Sequence, residues 1–263
     1  GWLGFKERFA KYNKWYTKSV EEHMVKSIPD GPKADEIKSK ILPDYPLGCK
    51  RILLSDHYIP LLARDNVELV TSPATEVTED GVMTEEGLLP ADVVIYSTGF
   101  RSSDFLASIK VVGRTRADGG EEVLSKRWGT VPRAWHGMAM PGYPNFFLTY
   151  GPNTNLGHNS IVFVIEVQID HILTALKAVL PSSRSRRSLG AGRKARVVEV
   201  RGGAMREYIV YLEKELKLTV WHNGCNSWYK NKDGVIVNNM PSSTLAYWYR
   251  LRSVDFKKDY ELS

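Results

Sequence analysis

One nonapeptide, DVVIYSTGF at residues 92–100, limits what this chain can fold into. Asp92 leads into Val93, Val94, Ile95 and Tyr96, and Ser97-Thr98-Gly99 stops the run. An apolar, mostly β-branched run bounded by a turn predicts a buried strand. A strand that ends in small residues brings backbone up against a ligand, because glycine has no Cβ to hold the ligand away. Yet no phosphate-binding glycine loop precedes it. What the turn would approach is left open by the run itself, which is also consistent with a plain tight turn leaving a strand.

The chain has 263 residues, enough for one large domain or two modest ones with a sizeable core. Apolar residues make up 43% and charged residues 25%, the balance of an ordinary globular protein. The formal charge of +6 suits anionic cofactor phosphates as well as nucleic acid. The basic residues are scattered, and their one cluster, Ser182–Arg187, reads as a solvated loop between helices. Nucleic acid is therefore not the expected partner. Cys49 and Cys225 are too few and too distant for a zinc site or a disulfide framework, which predicts a reducing, cytoplasmic location. The apolar run Ile161–Ile165 is too short to span a bilayer, so no membrane is expected. The chain opens on Gly1 in what reads as mid-helix, which predicts a fragment or a processed chain.

Phe5, Phe9, Tyr12, Tyr16 and Val20 predict a helix over residues 2–27, and a short helix is expected over 33–41. A helical turn and a strand near Val67–Val70 follow. Residues 75–95 predict antiparallel strands, with turns at Glu79-Asp80-Gly81 and Glu85-Glu86-Gly87. NFFLTY at 145–150 reads as another buried strand, with Met138, Met140, Phe146 and Phe147 assigned to the core. Long helices are expected over 160–180 and 203–218. A hairpin is expected around Lys232-Asp233-Gly234, and a last short helix after Pro241. GAGRKA at 190–195 has the letters of a dinucleotide fingerprint but lacks the strand before it and the helix after it, so it is set aside. His57, His136 and His158 stand alone, and no metal is implied.

Four stretches, DYPLGCKRILLSDHYIPLLARDNVELV, DVVIYSTGF, YPNFFLTYGPNTNLGHNSIVFVIEVQ and CNSWYKNKDGVIVNNMPSSTLAYW, occur in one order across nearly the whole chain. Together they resemble the C-terminal half of a class B flavin monooxygenase. The nearest likeness is to Baeyer–Villiger monooxygenases of the hydroxyacetophenone and cyclohexanone kind. The glycine-rich fingerprints for FAD and NADPH, and the family signature between them, are not in the sequence. The resemblance implies an α/β fold: an incomplete flavoprotein with two Rossmann-like dinucleotide-binding domains whose N-terminal Gly-rich halves are missing. Residues 1–45 would end a helical insertion, 46–97 would form the second half of the NADPH domain, and 98–263 would form the C-terminal half of the FAD domain.

The resemblance also implies roles. From spacing alone, Arg51 reads as a surface arginine at the mouth of a loop. In the family, an Arg of the matching Lys-Arg pair lies beside the flavin ring, which makes Arg51 the catalytic candidate. Oxygen transfer to a ketone passes through a negatively charged adduct, and a guanidinium stays charged at any working pH. Lys50 is a candidate contact for the NADP phosphate or ribose. Thr98, Gly99 and Phe100 match a turn near the cofactors, with Ser97 where the family has Ala. Gly151, Asn153, Thr154 and Asn155 precede a helix whose N-terminus favours negative charge, so they are flavin-contact candidates as well as capping residues. Trp228 is assigned to the substrate or nicotinamide pocket, or else to the core. The implied activity is NADPH- and O2-dependent oxygen insertion into a ketone, or oxidation of a heteroatom, with FAD as cofactor. The alternatives are an inactive piece that needs a partner chain carrying the missing N-terminal half, and a basic nucleic-acid module built on Arg184, Arg186, Arg187, Arg193, Lys194 and Arg196.

Overall fold

The computed structural model describes residues 2–157, 159–180, 197–222 and 224–263, and of residues 2–10, 12 and 13 the backbone only. The GAGRKA stretch, the Ser182–Arg187 cluster, His158 and the six basic residues of the nucleic-acid reading lie outside the described residues. The chain divides into two compact units. One holds Gly1–Leu47 and Ile52–Phe100; the other holds Gly48–Arg51 and Arg101–Ser263. Among the described residues, no helix is long and apolar enough to cross a membrane.

The first unit begins with helices α1 (Trp2–Lys26), α2 (Ala34–Ile41) and α3 (Tyr58–Leu62). A three-stranded antiparallel meander follows: β1 (Ala74–Thr78), β2 (Gly81–Thr84) and β3 (Gly87–Pro90). Both predicted turns are present. Gly81 has φ +147°, and a Cβ there would lie 2.1 Å from the Leu89 carbonyl oxygen, so only glycine fits. Thr78 and Thr84 donate from their hydroxyls to the carbonyls of Gly81 and Gly87, which pins each turn. Lys33 donates to the carbonyls of Arg64 and Val67, and Lys40 to that of Leu69, so two lysines hold residues 64–69 beside α2.

The strands expected at Val67–Val70 and along the 92–100 run do not form. Leu54 is 95% exposed, Ile95 84% and Val93 77%, so residues with the composition of a sheet interior face solvent. A buried strand takes its hydrogen bonds and its cover from neighbours on both sides. Among the described residues, no strand pairs with either run.

The second unit carries α4 (Leu124–Trp128), α5 (Ile161–Val179), β4 (Val198–Val200), α6 (Gly202–Leu216), α7 (Thr244–Arg252), α8 (Phe256–Asp259) and β5 (Tyr260–Leu262). Both long predicted helices appear, as α5 and α6. Helix α5 buries Val164, Val167, Gln168, His171 and Ala175, one face at helical spacing. These residues pack with Tyr208 and Leu212 of α6, Tyr247 and Leu251 of α7, and Val198, Val200 and Tyr260 of the antiparallel pair β4–β5. Met138 and Met140 are buried as expected, and Phe146 and Phe147 pack against the two core clusters. The predicted hairpin narrows to one bridge, Lys230–Ile236, around Gly234 at φ +75°.

The strand expected at 145–150 is absent as well. Asn145 and Tyr150, at its two ends, take left-handed backbone with φ +57° and +54°, which breaks the extended run. In place of a ladder, Leu148 N–H donates to the Met138 carbonyl, and Asn145 N–H to that of Val198.

Ser160 caps α5 by accepting a hydrogen bond from the Phe163 N–H. Ser160→Ala should therefore lower the unit's stability by about 1 kcal/mol, read as a lower urea midpoint at unchanged slope.

Candidate functional site around Arg51

The site grows from the bend ahead of α5. Tyr150 and Asn153 both have left-handed backbone, and between them Gly151 lies against Gly137. A Cβ on Gly151 would fall 2.3 Å from the Gly137 carbonyl oxygen, so the bend tolerates nothing larger there. Thr154 closes it by donating to the Gly151 carbonyl at 2.7 Å. Sparsely populated backbone of this kind persists where the surroundings enforce it, often at a site.

Asn153 and Thr154 are buried, and their side chains are spent inside the unit. The Asn153 amide donates to the carbonyls of Ile236 and Asn239 and accepts from Arg133. Asn155 is different, because it is the hub of a polar network. Its amide nitrogen donates to Asn239 Oδ1 at 2.7 Å. Its oxygen accepts from the Tyr150 hydroxyl at 2.7 Å and from Arg51 Nη2 at 3.2 Å. The Arg51 guanidinium also lies 5.2 Å from the centroid of the Trp228 ring, within cation–π range.

Arg51 reaches this place because Gly48–Arg51 belongs to the second unit. The tie includes a disulfide, Cys49–Cys225, whose Cα atoms are 5.4 Å apart. The expectation of two unpaired cysteines is thus corrected. A sequence separation of 176 gave no reason to bring them together, but each borders a site motif, two residues before Arg51 and three before Trp228. Trp221 Nε1 adds a hydrogen bond to the Gly48 carbonyl at 3.0 Å.

Three further residues complete the cluster, and sequence reasoning did not single them out: Tyr150, Tyr229 and Asn239. Burial raises the phenol pKa values of Tyr150 and Tyr229, opposed by the positive charge of Arg51, so both hydroxyls stay neutral donors. Asn239 is fully buried, and its Nδ2 makes no hydrogen bond among the described residues, although the Tyr229 hydroxyl is close enough to feel the amide. The exposed Arg51 guanidinium, held by the buried Asn155 network beside the face of Trp228, makes a place for an acceptor-rich or anionic group.

Of the other predicted site residues, Lys50 is exposed in the same segment. Thr98, Gly99 and Phe100 belong to the first unit. Gly99 has φ +85° with open space where a Cβ would stand, so its backbone angle, and not crowding, asks for glycine. Phe100 is 98% exposed.

No family model matches the chain. Individual relatives do. The FAD-binding monooxygenase ktnD of Aspergillus niger is 37% identical over 228 residues, 86% of this chain and 35% of that protein. A Baeyer–Villiger monooxygenase of Pseudomonas aeruginosa is 37% identical over 214 residues, 81% of this chain and 38% of its own length. The chain is homologous to part of a Baeyer–Villiger monooxygenase. A third such relative, from Streptomyces coelicolor, is 34% identical and takes in 96% of this chain and 44% of its own length. The chain thus spans about two-fifths or less of the first two monooxygenases and 44% of the third. The fold agrees. Cyclohexanone monooxygenase from Rhodococcus sp. Phi1 bound to NADP+ superposes with a TM-score of 0.74 at 24% identity, over 95% of this chain and 45% of that one. The OTEMO complex with FAD and NADP gives 0.75 at 24% identity, over 96% and 45%.

Proposed function

We propose that this chain forms the closing portion of a cytoplasmic FAD-dependent monooxygenase. With NADPH and O2 the enzyme would insert oxygen into a ketone to give an ester or lactone, or oxidise a soft heteroatom. Residues 1–45 would end its helical insertion, 46–97 complete the NADPH domain and 98–263 close the FAD domain.

One observation carries the reading. Arg51, Asn155 and Trp228 come from three separate motifs and converge through a 3.2 Å hydrogen bond and a 5.2 Å cation–π contact. A flavin ring, flat and rich in acceptors, fits the Arg51 cation and the Trp228 face beside it. FAD supplies the oxygen-activating redox chemistry when bound. Arg51 would stabilise the negative charge that develops during oxygen transfer, and Asn155, with Tyr150, would hold the guanidinium in place. Gly151, Asn153 and Thr154 would shape the bend that seats Asn155, and they remain the proposed flavin contacts with it. Trp228 would wall the substrate or nicotinamide side. Lys50, Thr98, Gly99 and Phe100 remain the proposed contacts to NADPH and to the joint between domains. The exposed Leu54, Val93 and Ile95 favour a cover supplied by the N-terminal half that the relatives possess.

The purified 263-residue chain should hold no stoichiometric FAD, because the sequence carries no pyrophosphate-binding loop. Its absorbance near roughly 450 nm should be absent, and a flavin-yellow chain with one FAD bound would contradict this. The function itself is tested in a chimera, in which this chain replaces the matching 214-residue segment of the Pseudomonas aeruginosa relative. Ketone should raise its NADPH consumption. A flavin-loaded chimera indifferent to ketones and to sulfides would sink the proposal.

A further inference from the structure

We propose that the Cys49–Cys225 disulfide is a redox-controlled staple that positions Arg51. Residues on both sides of Gly48–Arg51 belong to the first unit, and of residues 1–100 only these four belong to the second. Besides the disulfide, ties on the segment include the Trp221–Gly48 hydrogen bond, the Arg51–Asn155 hydrogen bond, the Arg51–Trp228 contact and the action of Arg51 on the Tyr150 and Tyr229 hydroxyls. Each is individually weak, and all but the first act through a long, exposed side chain whose rotamers are many. The covalent bond is what fixes the backbone two residues before Arg51. Its other end fixes Cys225, three residues before Trp228, so one bond sets both partners of the cation–π pair.

Both cysteines are buried, so exchange requires the segment to open. Residues 50–57 beside it are exposed, which makes that opening local. A dithiol reductant then acts in two steps. Its thiolate attacks one sulfur, a mixed disulfide forms and the other cysteine leaves as thiolate. The second thiol of the reductant displaces the bound cysteine. The reductant becomes a cyclic disulfide, and Cys49 and Cys225 become thiols by gaining two electrons and two protons. The reverse exchange, with an oxidised dithiol, restores the bridge. With the bridge open, Arg51 leaves Asn155 and Trp228. The consequence for activity rests on the proposed monooxygenase function; the positioning of Arg51 does not.

The test uses the full chain labelled with 5-fluorotryptophan, with the Trp228 resonance assigned through Trp228→Phe. Peptide mapping without reductant should recover Cys49 joined to Cys225. Dithiothreitol should shift the Trp228 fluorine resonance and speed tryptic cleavage after Lys50 and Arg51 by roughly tenfold. In Arg51→Gln the resonance should already sit at a displaced position and move less on reduction, since only the contribution of the Cys225 end is left, whereas a loss of general stability would move both chains alike. A double Cys49→Ser, Cys225→Ser chain should match the reduced protein. Two free thiols in the folded chain purified without reductant would overturn the proposal. So would a Trp228 signal that reduction leaves unmoved, or moves equally with and without Arg51. A responsive Trp228 in a chain whose chimera ignores ketones and sulfides would uphold the staple and sink the monooxygenase reading alone.

Discussion

Arg51→Gln in the chimera is expected to lower ketone-dependent NADPH oxidation about a hundredfold or more, on the order of 3 kcal/mol, while FAD stays bound. The magnitude follows from where the charge acts. A cation already aimed at a developing anion needs no reorganisation when the anion forms, so the loss falls on the transition state. The guanidinium is aimed by Asn155 Oδ1 on one side and by the Trp228 face on the other. Glutamine keeps much of the length and some of the hydrogen bonding but removes the charge. The turnover rate should therefore drop far more than KM rises. Arg51→Lys keeps the charge and loses the planar fork, so it should fall between the two. Equal turnover for the wild-type and glutamine chimeras would remove Arg51 from the chemistry.

Acid should destabilise the second unit sharply. His171 is buried against Phe256 and bonded to the Tyr260 hydroxyl at 2.9 Å. Burial drops its pKa from 6.5 to about 4. His136, packed against Trp135 and Tyr208, falls well below its ordinary value through burial, with the Arg250 and His171 charges adding to it. Unfolded, both rings take up protons near pH 6.5; folded, both resist. Between those values the unfolded chain binds more protons, so stability falls as pH falls. His171 alone accounts for about 3 kcal/mol, lost between pH 6.5 and about 4 and no further below. Asp259 works the other way, since burial raises its carboxyl pKa and favours the folded state in acid. The urea midpoint should be much lower at about pH 4.5 than at about pH 7.5. His171→Phe should flatten that difference even though it costs stability at neutral pH. A midpoint unchanged between the two pH values would show that the rings titrate normally in the fold.

Helices α5 and α6 were legible in the sequence because each buries a face at 3.6-residue spacing, a signal the chain carries within itself. The β1–β3 meander was legible for a similar local reason, since Gly81 and Gly87 mark its turns. The 67–70 and 92–97 runs misled because their composition describes a sheet interior whose neighbours the described residues do not provide. NFFLTY misled because left-handed Asn145 and Tyr150 bend a stretch whose side chains alone suggest a strand. At the site, Arg51, Asn155 and Trp228 were visible only through family resemblance, since the first two lie 104 positions apart in sequence. Tyr150, Tyr229 and Asn239 carry no motif; they join through packing alone. The cysteine pair left one trace, two lone cysteines each a few residues from a site residue, which spacing could not turn into a bond.

A crystal structure of the FAD-loaded chimera tests the central claim most directly. The account predicts the isoalloxazine ring in contact with the Arg51 guanidinium, beside the Tyr150–Asn155 bend that leads into α5. A ring separated from Arg51 by another layer of protein, or seated away from that bend, would contradict it.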